Sequence, residues 1–329
     1  MTAIFQLEDT ADDKARSPGG DVPDLFVTGP GAEALRTVAR SLPSWTLTPR
    51  QLCDLELLAN GAFAPLTGFL DAADYHSVLE HMRLADGALW PMPVTLDVPE
   101  DVADGLVPGD RVTLRHPEGT ALAVLELSDV YTPDPGREAL AVFGTLDRTH
   151  PGVEAIFSGH PARFGGRVRA LEPAPHRPFA DRRLSPAEVR AEARRRGWRR
   201  LVAFQTRNPL HRAHVELIRR AAERADAQVL LHPVIGVTRP GDVDAVTRVR
   251  CYEAVLDQFE PGQVALALLP LAMRMGGPRE ALWHALIRRN YGATHFVVGR
   301  DHAGPGRGAD GQPFYGPYDA QDLVRRHQA

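Results

Sequence analysis

From Ser185 to Val298 short apolar runs alternate with helical segments, and this alternation restricts what that part of the chain can fold into. Ser185-Pro186-Ala187-Glu188 combines a capping box with proline at the first helical position, which predicts a helix running to Arg196. Arg199–Phe204, Gln228–Ile235, Val264–Leu269 and His295–Val298 read as strands. Leu210–Ala225, Ala245–Phe259 and Pro278–Tyr291, lying between them, read as helices. Strand and helix in alternation imply a parallel, doubly wound sheet of the α/β class. Ligands of such sheets bind beyond the carboxyl ends of the strands, so chemistry is expected there.

The preceding chain has a different texture. Residues 1–24 carry Gly, Pro, Ser and Asp with little apolar content and read as a flexible tail. From Leu25 to Ala170 short apolar runs are broken by Pro/Gly turn signals: Met92–Val98, Arg111–Leu114, Ala121–Leu127 and Leu140–Thr145. This spacing predicts a mostly β domain, with helices over Pro49–Asn60 and Ala72–Met82. The Pro-rich stretch from Glu172 to Pro178 reads as a linker. The expected divisions are therefore a tail at 1–24, a β-rich domain at 25–176 and an α/β domain at 177–329.

Composition removes several function classes. A net charge of -4 gives no reason to expect nucleic-acid or membrane-surface binding. No apolar run approaches a membrane span, and the acidic, polar N-terminus lacks the pattern of a secretory signal. Cys53 and Cys251 are too far apart to suggest a disulfide framework or a zinc site, so a cytoplasmic protein with two reduced thiols is expected. Lys14 is the only lysine. A P-loop needs Gly-Lys-Ser/Thr, so P-loop kinases and ATPases are excluded.

Polar residues crowd two predicted strand ends. Leu201–Phe204 runs into Gln205-Thr206-Arg207-Asn208-Pro209-Leu210-His211-Arg212-Ala213-His214, where a helix begins. His211 and His214 are three apart and share one face of its first turn. A helix N-terminus offers unpaired amides and partial positive charge to phosphate, and imidazoles there can donate to phosphate oxygens. Alone, a His-x-x-His pair is equally compatible with surface or capping histidines, or with half of a metal site. The succession of strand, polar turn and helix favours phosphate. The second run, Gly299-Arg300-Asp301-His302-Ala303-Gly304, also follows a strand. Its glycines allow close backbone approach, Arg300 can clamp an anion, and Asp301 can orient His302 or a ribose hydroxyl.

With these runs go Gly236–Asp244, Arg248–Ala254 and Leu269–Ala281, and, further forward, Leu47–Glu56 and Pro65–Phe69. In this order they resemble the ATP sulfurylase (sulfate adenylyltransferase) family, over about residues 40–325. The resemblance implies a PUA-like, mostly β domain followed by a Rossmann-like nucleotidyltransferase domain of the His-x-x-His type. It implies the reaction of ATP with sulfate to give adenylyl sulfate and pyrophosphate, the first step of sulfate activation. Thr206, Arg207 and Asn208 would be the catalytic trio, with Arg207, Asn208, Pro209 and Leu210 along the nucleotide. His211 and His214 would meet the phosphates, and Gly299, Arg300, Asp301 and His302 would complete the ATP pocket. Gln205, Arg207, Arg300 and the backbone of Ala303 would hold sulfate. Magnesium is expected to arrive with ATP, with no protein metal cage and no zinc. ATP and sulfate are the expected partners, in a homo-oligomer that binds neither nucleic acid nor membrane.

Two departures bear on this. Arg239 stands where the family usually has lysine, which keeps the charge and changes its geometry. Ala329 comes soon after Phe314–Gln321, where the family continues with more catalytic-domain chain and a small C-terminal domain. A fused adenylyl-sulfate kinase is not expected at this length without a P-loop. Two other readings stay open: transfer to a different oxyanion acceptor on the same fold, and a non-catalytic regulatory homologue.

Overall fold

A computed structural model describes residues 2–7, 22, 24–175, 178–238 and 241–328. Its first half comprises β1 (Ala3–Gln6), α1 (Pro30–Ala39), β2 (Ser44–Thr46), α2 (Pro49–Ala59), β3 (Gly68–Phe69) and α3 (Ala72–His81). Then come β4 (Leu96–Val98), α4 (Glu100–Ala103), β5 (Arg111–Arg115), β6 (Ala121–Tyr131), α5 (Pro135–Phe143), α6 (Pro151–Phe157) and β7 (Ala162–Ala170). The second half continues with α7 (Pro186–Arg195), β8 (Leu201–Phe204), α8 (Arg212–Ala225), β9 (Gln228–Leu231) and α9 (Ala245–Leu256). It closes with β10 (Val264–Leu266), α10 (Gly277–Asn290), β11 (His295–Val298) and α11 (Asp319–Arg326).

Local chemistry explains the helix starts. Thr48 caps α2 and Ser185 caps α7, each in a full capping box with proline in the first turn. The run Leu140–Thr145, expected as a strand, lies mostly in α5 instead. Asp134 caps that helix through the amides of Gly136 and Arg137, Pro135 opens it, and Gly144 ends it with a left-handed φ of 72°. Proline at the start and glycine at the end outweigh a short apolar run.

Six strands of the first half form one sheet in the order β2-β5-β6-β7-β3, with β4 also pairing β7. All its pairings are antiparallel except β2 with β5. The second sheet runs β1-β11-β8-β9-β10. Its β11, β8, β9 and β10 are parallel to one another, as the alternation requires. Residues 3–6 correct the expected tail. They form an antiparallel edge strand on β11, from Ala3 opposite Val298 to Gln6 opposite His295. Residues 8–21 and 176–177, which belong to the expected tail and linker, lie outside the described residues.

The two sheets share one core. Phe63 and Trp90 from the first half pack on Trp283 of α10, with ring centroids 5.1 Å and 6.4 Å away. Asp54 of α2, fully buried, holds Arg274 through both carboxylate oxygens at 2.8 Å and 2.6 Å. Asn290 at the end of α10 donates to the carbonyls of Ala62 and Ala64 at 2.9 Å and 2.8 Å. Buried polar groups cost several kcal/mol when unpaired, so these bonds fix how the halves meet.

Candidate active site

Within the parallel strands of the second sheet the chain starts at β8, moves outward to β9 and β10, then returns through α10 to β11 on the other side of β8. Strand order therefore reverses between β8 and β11. A crevice opens at such a point because successive loops leave in opposite directions. The loops flanking it are Gln205–His211 and Gly299–Gly304. The structure thus brings together the two runs that sequence singled out, which lie about ninety residues apart.

The first loop is held from behind by α9. Arg248, almost fully buried, donates Nη1 to the carbonyls of Arg207 and Val234 at 3.0 Å and 2.9 Å. The Tyr252 hydroxyl donates to the Asn208 carbonyl at 3.1 Å. Thr206 Oγ1 closes the turn locally, accepting from the Asn208 amide at 3.1 Å and meeting its carbonyl at 2.9 Å. These bonds occupy the turn's backbone oxygens and hold the backbone that carries Arg207.

Arg207 Nη1 lies 2.5 Å and 2.7 Å from the two carboxylate oxygens of Asp242, with both side chains mostly buried. Gln205 Oε1 is buried without a hydrogen-bond partner among the described residues. His211 is the N-cap residue of α8 but makes no side-chain cap, and the first turn of α8 contains no acid. The helix end therefore keeps its positive potential. The His211 and His214 rings lie 4.0 Å apart between centroids. Burial, reinforced by His211, lowers the His214 pKa, and its Nδ1 has no hydrogen-bond partner among the described residues.

The second loop bends through two residues at positive φ, Asp301 at 51° and Ala303 at 56°. A Cβ on Gly304 would sit 2.0 Å from Asp301 Oδ1, so a larger residue there would displace the Asp301 carboxylate. The Asp301 amide donates to Pro317 O at 3.0 Å, and the Ala303 carbonyl accepts from Gly277 at 3.2 Å. Arg300 is exposed. Of the two roles open to Asp301, orienting His302 or a ribose hydroxyl, a bond to His302 is not made among the described residues. His302 Nε2 lies 3.0 Å from Nδ1 of the fully buried His284.

Sequence reasoning gave no role to Asp242, Arg248, Tyr252, Glu280 or His284. The contacts that tie Asp242, Arg248, Tyr252 and His284 to the two loops span 18 or more residues, and no local periodicity encodes them, whereas Glu280 meets His284 one helical turn away. Arg239 and Pro240, next to Asp242, lie outside the described residues. Cavity size does not mark the crevice either. A cavity of about 620 Å³ lies against α2 and the linker, lined by Leu52, Glu56, Leu122 and Arg183 and by neither loop.

Neutral buried histidines make stability pH-dependent. Burial pushes His150, which packs against Phe314 and Tyr315, down to about 4, and His302 down to about 3. In the unfolded chain both return to about 6.5, so that state binds more protons as the pH falls. Stability is therefore complete above about pH 6.5 and lost below it, by about 1 kcal/mol per pH unit for each histidine after screening. Urea denaturation at a series of pH values should show this slope, and His150→Gln should reduce it.

A PUA-like β-rich unit joined to a doubly wound sheet with a polar crevice at its switch point defines the class of protein. Residues 15–173 match the PUA-like domain and residues 180–329 match ATP-sulfurylase. The chain belongs to the ATP-sulfurylase family. It is 53% identical over 302 residues to a sulfate adenylyltransferase of Schizosaccharomyces pombe, covering 91% of this chain and 61% of that one. A sulfate adenylyltransferase of Gibberella zeae is 54% identical over 315 residues, covering 94% and 55%. Among solved structures, a hexameric APS kinase from Thiobacillus denitrificans superposes with a TM-score of 0.71 at 34% identity, over 84% of this chain and 51% of that one. The chain thus spans just over half the length of these relatives. Among the described residues no helix is long and apolar enough to cross a membrane.

Proposed function

We propose that the crevice transfers the adenylyl group of Mg-ATP to sulfate, giving adenylyl sulfate and pyrophosphate. The observation that carries this reading is the placement of Gln205–His214 and Gly299–Gly304 at one switch point, within a chain half identical to sulfate adenylyltransferases. A sulfate oxygen attacks the α-phosphorus, the bond to the bridging oxygen breaks, and pyrophosphate leaves with that oxygen. Sulfate is already a dianion, so no general base is needed. The site's task is to hold two repelling anions in line and to stabilise charge on the α-phosphoryl group and the leaving group.

In this reading Gln205, Arg207, Arg300 and the Ala303 backbone hold sulfate. Thr206 and Asn208 position the reacting groups, and Pro209 and Leu210 lie along the nucleotide. His211, His214 and the open end of α8 face the phosphates, while Gly299, Asp301 and His302 complete the nucleotide pocket. Magnesium enters as part of the Mg-ATP substrate. A cytoplasmic homo-oligomer acting in sulfate assimilation is the setting this reaction fits, and the hexameric APS kinase that this chain resembles in structure accords with an oligomer.

The test is pyrophosphate release by the purified chain from Mg-ATP, with and without sulfate. Sulfate-dependent release supports the proposal, and a folded chain that gives none overturns it for this chain. Asp242 supplies a second expectation, because its carboxylate occupies the guanidinium assigned to sulfate. Asp242→Asn removes that competing charge and is expected to tighten sulfate binding by about 3- to 10-fold in calorimetric titration, the value of a partly buried ion pair.

A further inference from the structure

Behind the Gly299–Gly304 loop, His302, His284 and Glu280 form a line into the core. His302 Nε2 is 3.0 Å from His284 Nδ1, and His284 Nε2 is 3.3 Å from Glu280 Oε1. Glu280 and His284 sit one turn apart on α10, both fully buried. The carboxylate is anchored, since Oε1 accepts the Arg274 amide at 2.9 Å and Oε2 the Gly276 amide at 2.8 Å. The His284 ring is stacked on Trp283, and the His302 ring stands edge-on to Phe296.

Charge and hydrogen bonding together set the polarity of this line. His284 Nε2 lies beside Glu280 Oε1 as an ion-pair contact outside hydrogen-bond geometry, and a carboxylate that close favours the tautomer carrying its proton on Nε2. A neutral His284 then has a lone pair on Nδ1, and His302 must supply Nε2–H to it. Burial, with Arg288 nearby, keeps His284 well below its usual pKa, and burial with His284 lowers His302, so both rings are neutral. Burial raises the Glu280 carboxyl pKa, opposed by the two backbone amides and by Arg274. His302 Nδ1 makes no hydrogen bond among the described residues, and its ring is only partly buried.

We propose that Glu280 and His284 are positioning residues that fix His302 in its Nε2-protonated form, leaving Nδ1 as an acceptor for a hydroxyl or amino donor of the nucleoside. His302 in this form offers no proton to a phosphate oxygen, a role left to His211 and His214. The assignment rests on the nucleotide reading of the crevice.

Long-range proton–nitrogen correlation spectra of the chain labelled with ¹⁵N-histidine test it, with His302→Gln assigning the signal. The wild-type His302 ring is expected to be neutral and protonated at Nε2. His284→Leu removes the acceptor and should give mixed tautomers, whereas His284→Asn keeps an acceptor oxygen and should restore the wild-type pattern. Losing one such hydrogen bond should weaken Mg-ATP binding by about tenfold and pyrophosphate binding by less than about twofold. The Asn variant should bind both ligands as wild type does. A wild-type His302 protonated at Nδ1 overturns the proposal, and that spectrum needs no variant to fold. So does a Leu variant that keeps the tautomer, or one that weakens pyrophosphate as much as Mg-ATP. A wild-type chain that binds neither ligand refutes the nucleotide reading, and the tautomer pattern then still decides whether Glu280 and His284 position His302.

Discussion

Arg207→Ala is expected to cut sulfate-dependent pyrophosphate release by about 10²- to 10³-fold, the usual loss when one preorganised donor to a developing charge is removed. The guanidinium sits on a turn whose backbone is held by Arg248, Tyr252 and Thr206, so losing it leaves the turn in place. Arg207→Lys should recover only part of the rate, because an ammonium keeps the charge and loses the planar fork. The decisive comparison is kcat in a chain whose unfolding midpoint has moved by only a few degrees. An Arg207→Ala chain with near wild-type kcat would remove Arg207 from the reaction.

The largest effect on stability is expected at the Asp54–Arg274 pair. Asp54→Ala should destabilise the chain by about 3–5 kcal/mol in urea denaturation, since it leaves a buried guanidinium without its carboxylate. Asp54→Leu combined with Arg274→Met should recover most of that loss, because removing both charges also removes their desolvation cost. The pair joins α2 to the loop before α10, and Trp283 packs on Phe63 and Trp90 from the other half. Both sheets should therefore unfold in one transition. Separate transitions for the two halves would contradict the shared core.

Much of the local structure was legible because its causes are local. The Ser185–Glu188 capping box starts α7, and β11 spans His295–Val298 as its apolar run predicts. The Gln205–His211 turn could also be found from sequence, because strand, polar turn and helix succeed one another there within a few positions. Where two local signals competed, as over Leu140–Thr145, the caps at Asp134 and Gly144 prevailed over the apolar run.

Other features depended on packing between distant segments. Nothing local tells Ala3–Gln6 to pair with β11, since an edge strand is chosen by the partner that needs covering. Nothing local places Asp242 on Arg207, or His284 and Glu280 beneath His302. The sequence by itself determined the doubly wound sheet and the residues at its strand ends, because helix caps, turns and hydrophobic periods act over one or two turns of chain. Only the tertiary structure decided which charge Arg207 faces and which nitrogen of His302 is left free. Those outcomes come from satisfying buried polar groups across elements, a condition that exists only once the elements have packed.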